Sequence, residues 1–224
     1  MLSGAEEVDE ELLVSGLERI GAPVSDEVRE RISIFISEIM LFNPALKLVG
    51  DTDPDEILIR HVLDSAAAWP VFKEETREGA VIADLGSGAG FPGIVLATLM
   101  QDREFVLLER MRRRALFLQG VIARTGLKNV RVDQRDLKEV GEKYEAVTAR
   151  AFHPLYDIAP QVLRILTPSS VSIFYKGRRD NVASELDTLR GEGYSFKSTV
   201  RALKVPYLDE LRSVCILTDW TKQE

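Results

Sequence analysis

The chain has 224 residues, of which 45% are hydrophobic, and this predicts one good-sized globular domain with a small appendage. No apolar run approaches the length that spans a bilayer, and the lone Cys215 excludes an internal disulfide, so we expect a cytoplasmic protein. The net charge of -7 lies within residues 1–30, which carry nine acidic and two basic side chains, so the acidic balance does not exclude an RNA substrate.

Three helices are predicted in the first third of the chain. Helical spacing of leucine and isoleucine predicts the first over 10–20. Ser25 caps the second, which we expect Asn43-Pro44 to break, because the residue before a proline disfavours helical dihedrals. The third is predicted over 54–71. Together they predict an N-terminal helical cap, residues 1–75.

Strand-like and helix-like segments alternate over the second predicted domain, residues 76–224. This alternation predicts a Rossmann-like α/β fold, in which a doubly wound and mostly parallel sheet carries an antiparallel C-terminal addition. The predicted strands are 81–85, 104–108, 129–133, 145–149, 170–175, 195–204 and 211–219, and the predicted helices lie near 92–101, 111–125, 154–166 and 180–191.

A glycine-rich turn follows the first predicted strand, Val81 to Leu85. The alternate glycines Gly86, Gly88 and Gly90 let the backbone turn sharply and approach a ligand, because no Cβ stands in the way. Pro92 suits the first turn of the helix that follows. A strand, a glycine-rich turn and a helix N-terminus together predict a nucleotide-type site at the carboxyl end of a parallel strand.

Two classes of nucleotide fit this turn. The spacing Gly88-x-Gly90-x-x-Gly93 satisfies the dinucleotide fingerprint of dehydrogenases. S-adenosylmethionine sites use a looser turn preceded by an acid, and Asp84 is placed to orient the turn or to meet the ligand's amino group. The dinucleotide interpretation leaves Gly86 unexplained and little chain for a substrate domain. The turn therefore favours the methyl donor, and with it a class I methyltransferase.

Acidic residues follow the second and third predicted strands. Glu109 stands where an acid accepts both ribose hydroxyls of an adenosine, and the alternative is an exposed acid that pairs with nearby arginines. Asp136 or the Leu137 backbone is placed to recognise the adenine edge, although a helix N-cap role for Asp136 is an equally good interpretation. These positions predict the adenosine end of a donor site.

An arginine cluster, Arg110 and Arg112 to Arg114, begins the helix after Glu109. Cations there oppose the helix dipole by about 0.3–1 kcal/mol each, so helix stability does not explain them. A phosphate backbone would compensate this cost. The alternative is a solvated face that Glu109 and the acidic N-terminal segment neutralise.

The end of the fourth predicted strand bears on the chemistry. It lacks the Asn/Asp-Pro-Pro-aromatic loop of amino-directed enzymes, and Cys215 lies in an apolar strand, where a core role is favoured over nucleophilic attack. Guanine N7 needs neither proton removal nor a covalent nucleophile, because its lone pair is free at neutral pH. The reaction therefore needs no general base, so His61 is not expected to act as one. We expect its side chain to form a hydrogen bond with Asp64 or a backbone carbonyl. Two histidines and one cysteine predict no zinc site.

The chain resembles the bacterial small-subunit ribosomal RNA guanine-N7 methyltransferases, the glucose-inhibited division protein B family. The matching segments are Leu41-Phe-Asn-Pro-Ala-Leu-Lys-Leu48, Ile59-Arg-His-Val-Leu-Asp-Ser65, Asp84-Leu-Gly-Ser-Gly-Ala-Gly-Phe-Pro-Gly93, Thr148-Ala-Arg-Ala-Phe152 and Tyr175-Lys-Gly177. The resemblance implies an S-adenosylmethionine cofactor and methyl transfer to a guanine of 16S ribosomal RNA near the decoding centre. The donor residues that it implies are Gly86, Phe91, Glu109, Leu137, Lys138 and Arg150. It also implies that Asn43, Arg60, His61, Asp64 and Lys176 border the donor or the RNA.

We therefore predict a monomer that acts on 16S ribosomal RNA or the small subunit, with no membrane partner and no metal. The predicted catalytic residues are Asn43, Arg150 and Lys176. The predicted cofactor-binding residues are Asp84, Gly86, Gly88, Gly90, Phe91, Glu109, Asp136, Leu137, Lys138 and Arg150. The predicted RNA-binding residues are Arg60, His61, Arg112, Arg113, Arg114 and Lys176. The alternatives are a small-molecule methyltransferase and a catalytically silent RNA-binding assembly factor.

Overall fold

The computed structural model describes residues 8–177 and 179–223, except for the side chains of 179–181. A seven-stranded sheet runs in the order β3-β2-β1-β4-β5-β7-β6. Its strands are β1 Val81–Leu85, β2 Glu104–Leu108, β3 Val130–Asp133, β4 Tyr144–Arg150, β5 Leu166–Lys176, β6 Tyr194–Leu203 and β7 Arg212–Lys222. The first five are parallel to one another, and β7 runs antiparallel to both β5 and β6. The predicted doubly wound sheet with an antiparallel addition is confirmed.

The sheet reverses its strand order at β1, which lies between β2 and β4. Four of the five β1 residues are buried, as expected of a parallel strand that helices cover on both faces. In such sheets, ligands bind outside the carboxyl ends of the strands at the point of reversal. A ligand site is therefore expected in the crevice between the ends of β1 and β4.

Helices precede the sheet and connect its consecutive strands, except from β3 to β4 and from β6 to β7. Their bounds are α1 Glu10–Ile20, α2 Asp26–Leu46, α3 Pro54–Ile57, a π-helical turn Leu58–Leu63, α4 Asp64–Ala66, α5 Trp69–Glu75, α6 Gly93–Leu99, α7 Arg112–Thr125, α8 Leu155–Ile165 and α9 Arg179–Gly191. The side chain of Ser25 accepts the N–H of Val28 at 3.3 Å, so the predicted cap of α2 is confirmed.

The expectation that Asn43-Pro44 breaks α2 is wrong, because the helix continues to Leu46. Pro44 lies in the last turn, where its missing N–H leaves the Met40 carbonyl without its helical donor but is followed by only two more helical residues. The Asn43 side chain also accepts the N–H groups of Leu48 and Val49, at 2.8 and 3.0 Å. The Asn43 side chain therefore provides hydrogen-bond acceptors for the backbone just after the helix, a contact that sequence periodicity does not indicate.

The predicted single helix over 54–71 is also corrected. It starts at Pro54, but the turn Leu58–Leu63 is π-helical, and residues 67 and 68 separate α4 from α5. π-helical turns are rare and often accompany functional sites. This turn carries Arg60 and His61, two of the predicted RNA-binding residues.

One hydrophobic cluster joins the N-terminal helices to one face of the sheet. Side chains such as Ile32 and Phe35 of α2 share it with Phe105 of β2 and Ile173 of β5. A second cluster packs α8 and α9 on the opposite face. The division into a cap, residues 1–75, and a sheet domain, residues 76–224, stays a prediction. Among the described residues, no helix combines the length and apolar character that a bilayer crossing requires.

Candidate functional site

Two cavities meet at the carboxyl edge of the sheet. The larger, about 840 Å³, lies beyond β1, β4 and β5, and the smaller, about 520 Å³, lies beyond β2 and β3. Gly86, Arg114 and residues 151–153 border both. The two cavities therefore adjoin at the point where the strand order reverses, with these residues as their shared lining.

The predicted glycine turn forms the floor between the two cavities. Gly86 has φ +68°, and a Cβ there would overlap the ring of Phe152. Gly90 has φ +101°, and a Cβ there would lie 2.9 Å from Ile94. Both positions need a left-handed backbone and lack room for a side chain, so only glycine fits them.

Asp84 supports this turn from below and lines neither cavity. Its carboxylate is fully buried, and one oxygen accepts the Gly93 N–H at 3.2 Å. Burial raises the pKa of Asp84 to about 7. Of the two roles expected from the sequence, the geometry favours orienting the turn.

Glu109 faces the smaller cavity but is only 4% exposed. Its two carboxylate oxygens accept the N–H groups of Gly88 at 3.0 Å and Met111 at 2.7 Å. The alternative of an exposed acid paired with arginines is therefore wrong. Each oxygen keeps a second lone pair, so the carboxylate can still accept ribose hydroxyls.

The turn over 136–139 forms the far wall of the smaller cavity. The Asp136 carboxylate accepts the Lys138 N–H at 3.0 Å, and Arg164 donates to the Leu137 carbonyl at 2.8 Å. Since this segment is a turn and not a helix, the N-cap interpretation of Asp136 is wrong. The side chain instead shapes a turn that lines the cavity.

These residues fit the adenosine half of S-adenosylmethionine. Glu109 offers a buried acceptor, and the glycine backbone of the turn leaves space beside it. The apolar side chains that would cover a purine ring are Leu108, Met111, Leu137 and Ile158. Sites for such ligands combine apolar walls with a few placed polar groups.

Arg150 occupies the larger cavity at the end of β4. Its guanidinium donates to Asp64 at 2.8 Å and to Nδ1 of His61 at 2.9 Å. The second oxygen of Asp64 accepts from Arg212 at 3.0 Å. The expected bond from His61 to Asp64 or a backbone carbonyl is therefore wrong: Nε2 of His61 lies 2.9 Å from Asp51 instead.

Phe91 lies beneath this group and is largely buried. The His61 ring stacks on it at 5.2 Å between centroids, and the Arg150 guanidinium lies 5.0 Å from the same centroid. Phe35 contacts it from the core side, at 5.0 Å. Phe91 thus joins the glycine turn to the larger cavity, and its predicted donor contact stays a prediction.

The other predicted catalytic residues differ in their placement. Lys176 lines the larger cavity and donates to Glu185 at 2.6 Å. Asn43 does not line it, because its amide is engaged with residues 48–51, including the Asp51 carbonyl at 3.1 Å. A catalytic role for either residue stays a prediction, although Asn43 is placed to act only through its neighbours.

The predicted RNA-binding arginines lie at the rim. Arg112 and Arg113 are exposed at the start of α7, and Arg114 is half-buried between the two cavities. Within residues 8–177 and 182–223, these three form no ion pair within 4.0 Å, so none of them pairs directly with Glu109. The acidic residues of segment 1–7 lie outside the described residues. Arg60 is half-exposed and pairs with Glu56 and Glu210.

Sequence reasoning missed three residues that contact the predicted ones. Asp51, Glu185 and Arg212 bind His61, Lys176 and Asp64 in turn. No motif carries them, and each lies in a different structural element or loop from its partner. The described residues hold no cluster of three or more His, Cys, Asp or Glu side chains arranged for a metal ion. Cys215 is buried in β7, and burial raises the pKa of its thiol to about 12.

Solved structures of methyltransferases share the fold. The protein is similar to the ribosomal protein L11 methylase of Lactobacillus delbrueckii, with a TM-score of 0.55 and 14% identity over 72% of this chain and 79% of that one. It is also similar to the tRNA (m1A58) methyltransferase TrmI of Aquifex aeolicus, with a TM-score of 0.53 and 13% identity over 71% and 69%.

Proteins related by sequence have higher identity to this chain than these solved structures do. Proteins named ribosomal RNA small subunit methyltransferase G are 35% identical in Borrelia hermsii, over 76% of this chain and 82% of the relative, and 29% identical in Treponema denticola, over 92% and 93%. The family described as rRNA small subunit methyltransferase G, GidB, matches residues 28–211. That match spans the helices around His61 and every residue that lines the two cavities except Arg212, and the chain therefore belongs to the rRNA small subunit methyltransferase G family.

Proposed function

We propose that this protein transfers a methyl group from S-adenosylmethionine to N7 of a guanine in 16S ribosomal RNA near the decoding centre. The observation that carries the proposal is that the two cavities adjoin and share Gly86 and Phe152 in their linings. One contains the carboxylate of Glu109 and the other the guanidinium of Arg150, so a donor and its acceptor have adjacent places. Family membership supports ribosomal RNA as the acceptor.

The donor would lie across the glycine turn. Residues 86–91 would hold its methionine end, Glu109 its ribose and the turn 136–138 its adenine. When bound, the donor supplies an electrophilic methyl group on a sulfonium. The turn and the Phe152 ring together limit where that group can lie, because the ring covers Gly86 closely.

The acceptor would enter the larger cavity. Guanine N7 carries a free lone pair, so this chain needs no base and its contribution is to hold the nitrogen in line with the methyl group. Arg150 and Lys176 would hold the guanine or its phosphates. Five Lys or Arg side chains line this cavity against three carboxylates, and that surplus favours an anionic substrate.

The arginines at the start of α7 would bind the RNA backbone. Arg112 and Arg113 are exposed and precede Arg114, which borders both cavities, and guanidinium groups bind phosphate oxygens bidentately. Such contacts position a nucleic acid without reading its sequence. We further propose that the protein works as a monomer in the cytoplasm.

The decisive experiment is methyl transfer to small ribosomal subunits from cells that lack this protein, with N7-methylguanosine mapped in the extracted RNA. We expect one modified guanine in 16S RNA. If calorimetry detects binding of S-adenosylhomocysteine but no ribosomal RNA preparation is methylated, the protein is an assembly factor or acts on a small molecule, and the proposal fails.

Gly86→Ala tests the donor site within the same assay. Its φ of +68° costs about 1–2 kcal/mol with a Cβ, and the Phe152 ring must also move, so we expect at least a tenfold loss of S-adenosylhomocysteine affinity. Gly126→Ala is the matched control, because Gly126 has φ +66° but nothing within 4 Å of its Cβ position. Equal donor affinity in both variants would remove the turn from the donor site.

A further inference from the structure

We propose that Asp51 and His61 are positioning residues, which hold the guanidinium of Arg150 in the larger cavity through a directed chain of hydrogen bonds. The inference rests on the proposed function in one respect, namely that Arg150 faces the substrate. Asp51 lies in the loop after α2, His61 in the π-helical turn and Arg150 at the end of β4. Three separate segments therefore meet in one contact chain.

The chemistry of the three groups fixes the direction of the chain. An arginine can only donate hydrogen bonds, so Nδ1 of His61, 2.9 Å from the guanidinium, must be the unprotonated nitrogen. The imidazole proton then lies on Nε2, which donates to the Asp51 carboxylate at 2.9 Å. A carboxylate that orients a histidine tautomer in this way is a recurrent device of catalytic sites.

Asp51 is itself held in place. Asn43, in the last turns of α2, donates to the Asp51 carbonyl at 3.1 Å. Its amide oxygen accepts the N–H groups of Leu48 and Val49, so the loop has a fixed path back towards the cavity. This gives Asn43 a part in the chain without contact with the substrate.

The histidine ring is fixed as well. It stacks on Phe91, the residue that also lies beneath the Arg150 guanidinium. A rotated or displaced imidazole would lose this stacking together with both of its hydrogen bonds. Arg150 is thus held from two sides, by His61 at one nitrogen and by Asp64 at the other.

The chain works only while His61 is neutral. The charged groups around the ring are Asp51 from the loop, Arg150 from β4 and Asp64 one turn along its own helix. Burial is the largest influence and Arg150 the next, and both lower the pKa of His61, whereas the two carboxylates raise it; the pKa lies below its ordinary 6.5. Protonation would put an N–H donor opposite the Arg150 donor and break the contact.

The first test needs no catalysis. The chain has two histidines, so ¹⁵N NMR of histidine-labelled protein, with His153→Gln to assign the signals, reads the state of His61 directly. We expect a neutral ring with its proton on Nε2 at pH 7 and protonation below pH 6.5. Asp51→Asn should lower the His61 pKa further, because it removes a negative neighbour, and should leave the proton on Nε2, because the Arg150 donor still faces Nδ1 and the amide oxygen can still accept. A wild-type ring that is charged at pH 7, or protonated on Nδ1, overturns the inference.

The second test compares two variants of His61 in the methyl-transfer assay. His61→Asn keeps an oxygen near the Nδ1 position as an acceptor, whereas His61→Phe keeps the ring on Phe91 without an acceptor. We expect the kcat of His61→Phe to be about one tenth of the kcat of His61→Asn, or lower, since one hydrogen bond to a charged group is lost. Neither variant should lose rate as the wild type does below pH 6.5, and donor affinity should change by less than about twofold.

Asp219→Asn is the control, because Asp219 is exposed on β7 at φ +54°, which asparagine tolerates equally well. Its pH profile and NMR spectrum should match the wild type. Equal kcat for the two His61 variants, or an acid limb that persists in both, contradicts a positioning role. If the wild-type protein methylates no ribosomal RNA, the proposed function fails, and the tautomer measurement still decides whether the chain of hydrogen bonds exists.

Discussion

At the scale of single residues, Asp84 has the least favourable surroundings for a charge. It is fully buried at the end of β1, and only one of its two oxygens, which accepts the Gly93 N–H, has a hydrogen-bond partner among the described residues. Its pKa is raised by burial to about 7, against 3.8 in an unfolded chain. The folded state therefore holds a proton that the unfolded state releases, and stability must fall as the pH rises between these values.

Asp84→Asn should remove this pH dependence. The amide cannot ionise, and its oxygen still accepts the Gly93 N–H. Three pKa units correspond to about 4 kcal/mol, so the wild type should lose up to that much unfolding free energy, relative to the variant, between about pH 4 and pH 8. Urea unfolding of both proteins across this range measures the difference. Parallel curves would mean that the native carboxylate ionises without cost.

At the scale of elements, α7 begins with arginines where a helix prefers acids. Arg112 and Arg113 oppose the helix dipole at its positive end, each by about 0.3–1 kcal/mol. At the other end of the same helix, Arg124 has the favourable position and lies 3.5 Å from Glu38. The same helix thus has two arginines whose charge opposes its dipole and one, Arg124, whose charge is favourable and which serves as a matched control.

The double variant Arg112→Ala, Arg113→Ala should therefore be slightly more stable than the wild type and bind RNA less well. We expect the slope of log affinity against log salt to fall by about 0.7–1 for each arginine removed. Arg124→Ala should lower stability and leave the salt slope unchanged. Filter binding of 16S RNA over a salt series, with urea unfolding of each protein, measures both effects. An unaltered slope in the double variant would show that Arg112 and Arg113 face solvent and do not contact the RNA backbone.

The elements also show which features the sequence could predict. Local patterns sufficed for the strand, turn and helix from Val81 to Gly93, because their signals are period, glycine spacing and Pro92. They failed at Pro44, since the Asn43 side chain, in the last turns of α2, accepts hydrogen bonds from the loop that follows. Side-chain contacts between different elements were beyond them. Neither the Asp51 partner of His61 nor the Phe152 ring over Gly86 has a sequence period that would indicate it.

At the scale of the whole molecule, the helices of the predicted cap and the sheet share buried structure. Their side chains form one hydrophobic cluster, and Asp64 binds Arg150 of β4 and Arg212 of β7 at the same time. Arg201 of β6 pairs with Glu74 and Glu75 at the end of α5. A boundary near residue 75 therefore crosses a continuous core, and this favours a single cooperative unit.

Tryptophan fluorescence can decide between one unit and two, because Trp69 lies in α5 and Trp220 in β7, packed in different clusters. The variants Trp69→Phe and Trp220→Phe each leave one reporter, and we expect their urea transitions to coincide. Asp64→Asn should shift both together by about 3–5 kcal/mol, because it leaves Arg150 without a carboxylate partner and Arg212 with Glu210 alone. Glu56→Gln, a change at a half-exposed pair with Arg60, should shift neither by more than about 1 kcal/mol. If Trp69 reports unfolding at a lower urea concentration than Trp220, the helices form a separate domain, and the hold of Asp64 on Arg150 is weaker than its burial implies.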